Sequence, residues 1–225
     1  MTSAASSADE TRRRLLALFA AELYGPTPPT LDHLEVRRVC HSGHQRLKLG
    51  LALEDRRFAV DAALWLPPGP GPAPLIIGLD FLGPIGVLQD ATFPIDRAAR
   101  IEFRGSTVLD ATLRGRGADR WPVDLIQAAG FGLLLSCYGS WVPDDPAAWR
   151  GCGLAPLLRS PPETGAIALW AWALSRLVDV ALTLPEAGVT GEVDAGRVHL
   201  GQGQGDVDQP GERPCPQGDG TGLGW

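Results

Sequence analysis

Two short apolar runs, together with nearby helical segments, constrain the fold of this chain more than any other feature. The runs are Leu75–Leu79 and Phe131–Cys137, and such continuous apolar runs are typical of parallel strands buried on both faces. Helices are expected at Trp121–Gly130, with proline in its first turn, and at Glu163–Leu184, ended by proline. A third strand is expected at Arg197–Leu200. Strands that alternate with helices predict an α/β fold with a mostly parallel sheet.

A hairpin is expected before these units. Leu47–Leu53 carries leucine at every second position, which is the period of a strand, and charged residues separate it from the apolar stretch Phe58–Leu66. The two stretches predict an antiparallel hairpin, which makes the sheet mixed at one edge. A hairpin followed by alternating strands and helices is how an α/β-hydrolase begins, and the pattern therefore predicts a partial α/β-hydrolase with flanking helices.

Three regions are expected along the 225 residues. Residues 1–10 are small and polar and are expected to be disordered. Residues 11–200 are expected to form the N-terminal half of an α/β-hydrolase domain, beginning with a helix at Thr11–Tyr24. Residues 201–225 are rich in glycine and proline without periodicity, and this C-terminal tail is expected to be disordered because it offers too little apolar surface to offset its ordering entropy.

Charge and hydropathy narrow the range of partners. The formal net charge of −6 argues against nucleic acid and anionic membranes, because both favour a basic protein face. The uncharged stretch Thr164–Ser175 is too short to span a bilayer, which needs about 20 residues. The segment Arg12–Ala21 resembles a signal peptide, but Glu22 follows it and acidic residues precede it, so an amphipathic helix and a cytoplasmic location are favoured.

Two patterns raise the question of a metal or a cofactor. Cys40, His41 and His44 lie close together in sequence, but their spacing is not that of a zinc cluster, and a polar loop before a strand is expected instead. The run Gly201–Gly205 follows a strand, but the helix that a dinucleotide fingerprint requires does not follow it. We therefore expect neither a metal nor a cofactor.

Four segments in order resemble one family. The most specific is Gly165–Arg176, which ends in Trp170-Ala-Trp-Ala-Leu-Ser-Arg and is similar to the pattern Ala-Trp-Ala-Trp-x-Leu-Ser-Arg. The others are Leu15–Pro29, Pro74–Gly83 and Arg116–Asp124. Together they resemble the glucuronoyl esterases, which are carbohydrate esterases of the α/β-hydrolase fold. The resemblance covers about residues 12–200.

The resemblance implies hydrolysis of (4-O-methyl-)glucuronoyl esters of glucuronoxylan, a small-molecule or polysaccharide substrate, by Ser-His-acid acyl transfer. In the family the serine occupies a tight strand-to-helix turn of the form Gly-His-Ser-Arg-x-Gly-Lys, and the arginine helps to hold the oxyanion. Family members are often exported, so secretion is also consistent with the resemblance.

The chain departs from the family pattern at the turn that carries the serine and at other positions. Gly203 stands where the resemblance places the serine and Gln204 where it places the arginine. No serine follows Ser175 and no histidine follows His199. Asp80 replaces the asparagine expected in the loop after the first parallel strand. We therefore assign no catalytic residues and expect an inactive fragment, with a reading-frame change as one explanation of the tail.

The alternative is a non-catalytic sugar- or protein-binding half-domain. An incomplete sheet exposes an edge, which favours self-association.

Several residues have simpler structural interpretations. Trp170 and Trp172 are expected to pack in the core rather than to bind sugar. Arg120 and Trp121 are expected to cap and pack a helix start. Arg176 and Asp179, three residues apart, are expected to form a solvated ion pair.

Overall fold

The computed structural model describes residues 3–26, 28–41, 43–161 and 163–188. The longer helices are α1 (Ser3–Phe19), which continues as a π-helical segment at Ala20–Tyr24, and α6 (Ala166–Thr183). The strands are β1 (His33–His41), β2 (His44–Leu53), β3 (Arg56–Trp65), β4 (Leu75–Asp80), β5 (Arg100–Phe103), β6 (Ser106–Val108) and β7 (Gly132–Cys137). The short helices are α2 (Pro84–Val87), α3 (Val123–Ala128), α4 (Tyr138–Trp141) and α5 (Leu154–Leu158), with 3₁₀ turns at Ala111–Leu113 and Trp149–Gly151.

A five-stranded mixed sheet forms the centre of the structure, with strand order β1-β2-β3-β7-β4. The strands β1, β2, β3 and β7 pair antiparallel, whereas β4 and β7 pair parallel. The mixed sheet, the antiparallel hairpin and the flanking helices confirm the predicted fold class. The expectation of a mostly parallel sheet is not met among the described strands, because three of the four pairings in the sheet are antiparallel. The strands β5 and β6 form a separate two-stranded sheet.

Alternating side chains divide the core between the two faces of the sheet. On one face, Leu47, Leu49 and Leu51 of β2 are buried together with Leu64 and the inner side of α6. The opposite face buries residues of β3 and β7 with the loops around α2: Ala63, Trp65, Leu133, Leu135, Leu82 and Ile85. This two-sided burial explains why β7 is mostly apolar, since every residue of it is buried.

The helix α6 covers one face of the sheet. Its buried positions recur at helical spacing: Leu169, Ala173, Leu177, Val180 and Ala181. By length and composition alone, α6 is the one helix in the described part of the chain that could cross a membrane. Its buried stripe is packed within the core on the β2–β3–β7 sheet, which is the environment of a core helix.

The boundaries of some elements differ from the sequence-based expectation. The helix α1 begins at Ser3, so its first turns lie within residues 1–10, for which the sequence predicts disorder. Cys40 and His41 end β1, so the prediction of a polar loop at these two residues was wrong. The helix expected at Trp121–Gly130 covers only Val123–Ala128, because Pro122 and Gly130 lie at its ends. The expected strand Arg197–Leu200 and the tail 201–225 lie outside the described residues.

Candidate active-site framework

The carboxyl ends of β4 and β7 lie side by side. The two strands are parallel, and their register pairs Asp80 with Cys137 at the end of each strand. Strand β3 runs antiparallel to β7, and its Ala62 pairs with Ser136 near the carboxyl end of β7. The amino-terminal half of β3, which precedes Ala62, therefore reaches the same edge. In open α/β sheets, ligands bind beyond the carboxyl ends of the strands. This edge is therefore the place to look for a functional site.

The loop after β4 turns tightly at this edge. The backbone N–H of Leu82 donates to Asp80 Oδ1 at 3.0 Å, which forms a turn stabilised by the aspartate side chain. Gly83 has a φ of 56°, and a Cβ atom there would lie 2.6 Å from the backbone nitrogen of Cys137. Glycine at this position therefore allows the loop to approach the end of β7 closely.

The Cys137 thiol is held inside this turn. Its Sγ donates to the carbonyl oxygen of Phe81 at 3.3 Å. Burial raises the pKa of Cys137 to about 12. The group is therefore a neutral thiol near pH 7, and it is not an activated nucleophile.

Arg120 neutralises the buried carboxylate of the loop. Its Nη2 lies 2.9 Å from Asp80 Oδ2, and the Asp80 side chain is only 1% exposed. The guanidinium also lies 4.7 Å from the centroid of the Phe81 ring. The expectation that Arg120 caps a helix start was wrong, because its side chain instead pairs with Asp80 at the end of β4. The expected packing of Trp121 is confirmed, since its ring packs against the core and occupies the space that a Cβ atom at Gly78 would need.

Tyr138 is a polar residue that sequence reasoning missed. Its hydroxyl donates to Asp144 Oδ2 at 2.7 Å and accepts from the backbone N–H of Glu102 at 2.8 Å. Burial, followed by the carboxylate of Asp144, raises the pKa of Tyr138 strongly. The Tyr138 ring packs edge-on against Phe81 and near Trp170, with centroids 5.3 Å apart in both cases. Tyr138 thus joins α6 to the loop after β4.

The two tryptophans of α6 are packing residues, as predicted. Trp172 is 7% exposed and belongs to the core beneath α6, and Trp170 packs against both core clusters. Each indole N–H donates to a backbone oxygen: Trp170 to Val142 and Trp172 to Pro29. The predicted ion pair of Arg176 and Asp179 is also present at 2.8 Å, although Arg176 is largely covered and stacks on Trp172.

A cavity of about 240 Å³ opens at the same edge of the sheet. Its polar lining residues are Lys48, Asp61, Asp96 and Ser140, and its apolar lining includes Leu82 and Phe93. Arg46 binds Asp61 through two hydrogen bonds of 2.8 and 3.0 Å, which fixes one wall of the cavity. The cavity could hold a small polar ligand. The positions of Gly203, Gln204 and His199 lie outside the described residues.

Comparison with known proteins shows which solved structures are similar to this chain. No family model and no curated protein matches the chain. A glucuronoyl esterase structure from Solibacter usitatus is similar at a TM-score of 0.64 and 28% identity, over 78% of this chain and 48% of that chain. A promiscuous CE15 esterase from a marine bacterial metagenome is similar in fold at a TM-score of 0.61 and 21% identity, over 80% of this chain and 49% of that chain.

The mixed sheet, its strand order and these similarities place the chain among the α/β-hydrolases. Within that fold, its structural neighbours include glucuronoyl esterases, which supports the carbohydrate esterase lineage that the sequence resemblance predicted. The chain spans about half the length of the structures that it matches, at 48% of the Solibacter usitatus enzyme.

Proposed function

We propose that the protein derives from an esterase that hydrolyses (4-O-methyl-)glucuronoyl esters of glucuronoxylan by serine acyl transfer, and that this chain as it stands does not catalyse the reaction. The observation that carries the first part is the 28% identity with a glucuronoyl esterase over 78% of this chain. The second part rests on the residues at the expected nucleophile turn, where Gly203 and Gln204 stand.

The sheet edge at the carboxyl ends of β4 and β7 would supply a framework for acyl transfer. Such a reaction needs hydrogen-bond donors directed at the oxygen that becomes negative in the transition state. The loop after β4 is held rigid for this purpose by the turn at Asp80, by Gly83 and by the Arg120 pair. An ionised aspartate has no proton to donate, whereas the asparagine that the resemblance implies at position 80 would have one. Asp80 is therefore suited to hold Arg120 rather than to bind an oxyanion.

Ser136 and Cys137, which end β7 at this edge, are not arranged as nucleophiles. Ser136 is fully buried, donates to the carbonyl oxygen of Asp61 at 2.7 Å and accepts from Trp141 Nε1 at 2.9 Å. Cys137 is a buried neutral thiol. Neither group lies beside a histidine that could remove its proton, because the described histidines 33, 41 and 44 lie on β1 and β2.

An esterase assay tests this proposal. We expect the purified chain to hydrolyse a benzyl ester of glucuronic acid no faster than the buffer does. Turnover that a serine-directed inhibitor abolishes would refute the proposed inactivity. Sequencing the coding DNA from the codon of Gly196 onward and translating all three frames separates two explanations of the tail. A frame that encodes Gly-x-Ser-Arg and a later histidine would show a reading-frame change, and no such frame would show a true truncation.

The cavity favours a second candidate function, which is binding of a sugar acid without catalysis. Lys48 and Ser140 offer hydrogen-bond donors to a carboxylate or to hydroxyl groups, and the cavity lies where α/β folds bind ligands. A ligand that binds only the folded state must raise the melting temperature. Millimolar glucuronate that leaves the melting temperature unchanged would eliminate this candidate.

A further inference from the structure

Two histidines meet at the tip of the β1–β2 hairpin. His41 ends β1 and His44 begins β2, and the antiparallel register pairs them directly. Directly opposed residues in such a pair project from the same face of the sheet. Their imidazole rings are accordingly stacked, with centroids 4.9 Å apart and planes inclined by 4°.

A carboxylate from a distant loop faces both rings. Asp90 lies after α2, and its Oδ2 is 3.7 Å from His41 Nδ1 and 3.9 Å from His44 Nε2. The other oxygen, Oδ1, accepts hydrogen bonds of 2.7 Å from both the backbone N–H and the hydroxyl of Thr92. Thr92 therefore orients the carboxylate so that its second oxygen points to the two imidazoles.

The three side chains form a partly enclosed group. The His44 side chain is 2% exposed and packs near the rings of Trp65 and Phe93, whereas Asp90 is 29% exposed and open to an entering ion. The Nε2 atom of His41 is buried without a hydrogen-bond partner among the described residues. A buried polar atom that lacks a partner is costly, so a cation held through this nitrogen would remove that cost, whereas coordination through Nδ1 would leave it unchanged.

We propose that His41, His44 and Asp90 bind a zinc ion. Neutral imidazole nitrogen and carboxylate oxygen are common zinc ligands, and three protein ligands leave one position for water. One ligand atom from each residue already lies within 4.8 Å of the others. Zinc–ligand bonds of about 2.0–2.2 Å require the atoms to approach further by about 1 Å, so zinc binding would include rotations of these side chains. Two nitrogen ligands disfavour calcium and magnesium, which prefer oxygen.

The zinc ion would fasten one wall of the cavity to the central sheet. Asp90 precedes the segment Phe93–Asp96, and this segment lines the cavity. The histidines belong to β1 and β2 at the sheet edge. Bonds from Asp90 and from the two histidines to the same ion would join the hairpin tip to the cavity wall. This role does not depend on the proposed esterase lineage.

A matched pair of aspartate variants tests the site. Asp90→Asn keeps the oxygen that accepts from Thr92 but removes the charged ligand. Asp110→Asn is the control, because Asp110-Ala111-Thr112 repeats Asp90-Ala91-Thr92 and makes the same two bonds, at 2.7 and 2.5 Å, without nearby histidines. The measurement is a calorimetric titration of metal-free protein with zinc chloride near pH 7.5. We expect one zinc ion per chain and at least about tenfold weaker binding in Asp90→Asn, but unchanged binding in Asp110→Asn.

A histidine pair supplies a second, independent test. His41→Ala should weaken zinc binding by at least about tenfold, whereas His33→Ala, at the exposed start of the same strand, should not. Thermal melting without metal identifies any variant that fails to fold, in which case the aspartate pair decides. The proposal is overturned if the wild type does not bind zinc, or if Asp90→Asn binds as tightly as Asp110→Asn. It is also overturned if Cys40→Ser abolishes binding that Asp90→Asn retains.

Discussion

Gly83 is the residue at which the loop after β4 comes closest to β7. A methyl group at this position would meet backbone atoms of Cys137 at 2.6–2.7 Å, and the φ of 56° already disfavours a side chain. We expect Gly83→Ala to lower the free energy of unfolding by about 3 kcal/mol, from overpacking together with backbone strain. Urea denaturation at neutral pH measures this loss.

The control for Gly83 is Gly105. Gly105 has a φ of 82°, but a Cβ atom there has no neighbour within 4 Å. Gly105→Ala therefore tests backbone strain alone, and we expect a loss of about 1 kcal/mol. Equal losses in the two variants would show that the close approach of Gly83 to Cys137 contributes nothing.

Sequence patterns identified individual residues of the site, but they did not indicate which of these residues contact one another. Asp80 and Arg120 were both singled out from the family resemblance, yet no local pattern indicated that they pair with each other at 2.9 Å. In the same way, His41 and His44 are conspicuous as near neighbours in sequence, but their carboxylate partner Asp90 belongs to a loop after α2. Such contacts depend on strand order and register, which periodicity does not encode.

At the scale of elements, strong periodicity was the reliable signal. The leucines at every second position of β2 and the apolar run of β7 predicted their strands, and these residues are buried in the structure. The strand β1 was missed because it lies at the sheet edge and most of its residues are exposed or half-buried. An edge strand has a neighbouring strand on one side only and is largely exposed to solvent. It therefore needs no alternating apolar pattern, and its sequence is similar to that of a loop.

An ion pair joins the edge strand β1 to the segment that follows α6. Arg38 Nη2 lies 2.5 Å from Glu186 Oε1, and this hydrogen-bonded pair lowers the pKa of Glu186. A carboxylate with a depressed pKa in the folded state stabilises the fold above its unfolded pKa, and the contribution is lost as the pH falls through the folded value. Because both side chains are about one-third exposed, we expect Glu186→Gln to cost only about 0.5 kcal/mol at pH 7.

That cost should disappear in acid. Urea denaturation of wild type and Glu186→Gln at pH 7 and at about pH 3 should give curves that differ at the higher pH and coincide at the lower. Glu102→Gln is the control, since Glu102 is exposed and its side chain makes no ion pair within the described residues. A difference for Glu186→Gln that is the same at both pH values would contradict the role of the ion pair.

At the scale of the whole molecule, the sheet ends at β4, whose outer edge pairs with no strand among the described residues. Unpaired strand edges template association with another chain. A second apolar surface lies on α1, where Leu15, Leu16, Leu18 and Phe19 are between 42% and 57% exposed. We therefore expect the isolated chain to self-associate, and sedimentation velocity over a range of concentrations measures this directly.

Two lysine substitutions separate the two surfaces. Ile76 of β4 is 37% exposed and Leu16 of α1 is 57% exposed, so both tolerate a charged side chain better than core positions would. Lysine on an edge strand discourages pairing between sheets. If the β4 edge drives association, Ile76→Lys should shift the protein toward monomer whereas Leu16→Lys should not. The reverse result would assign association to α1, and a monomeric wild type at all concentrations would contradict the expectation altogether.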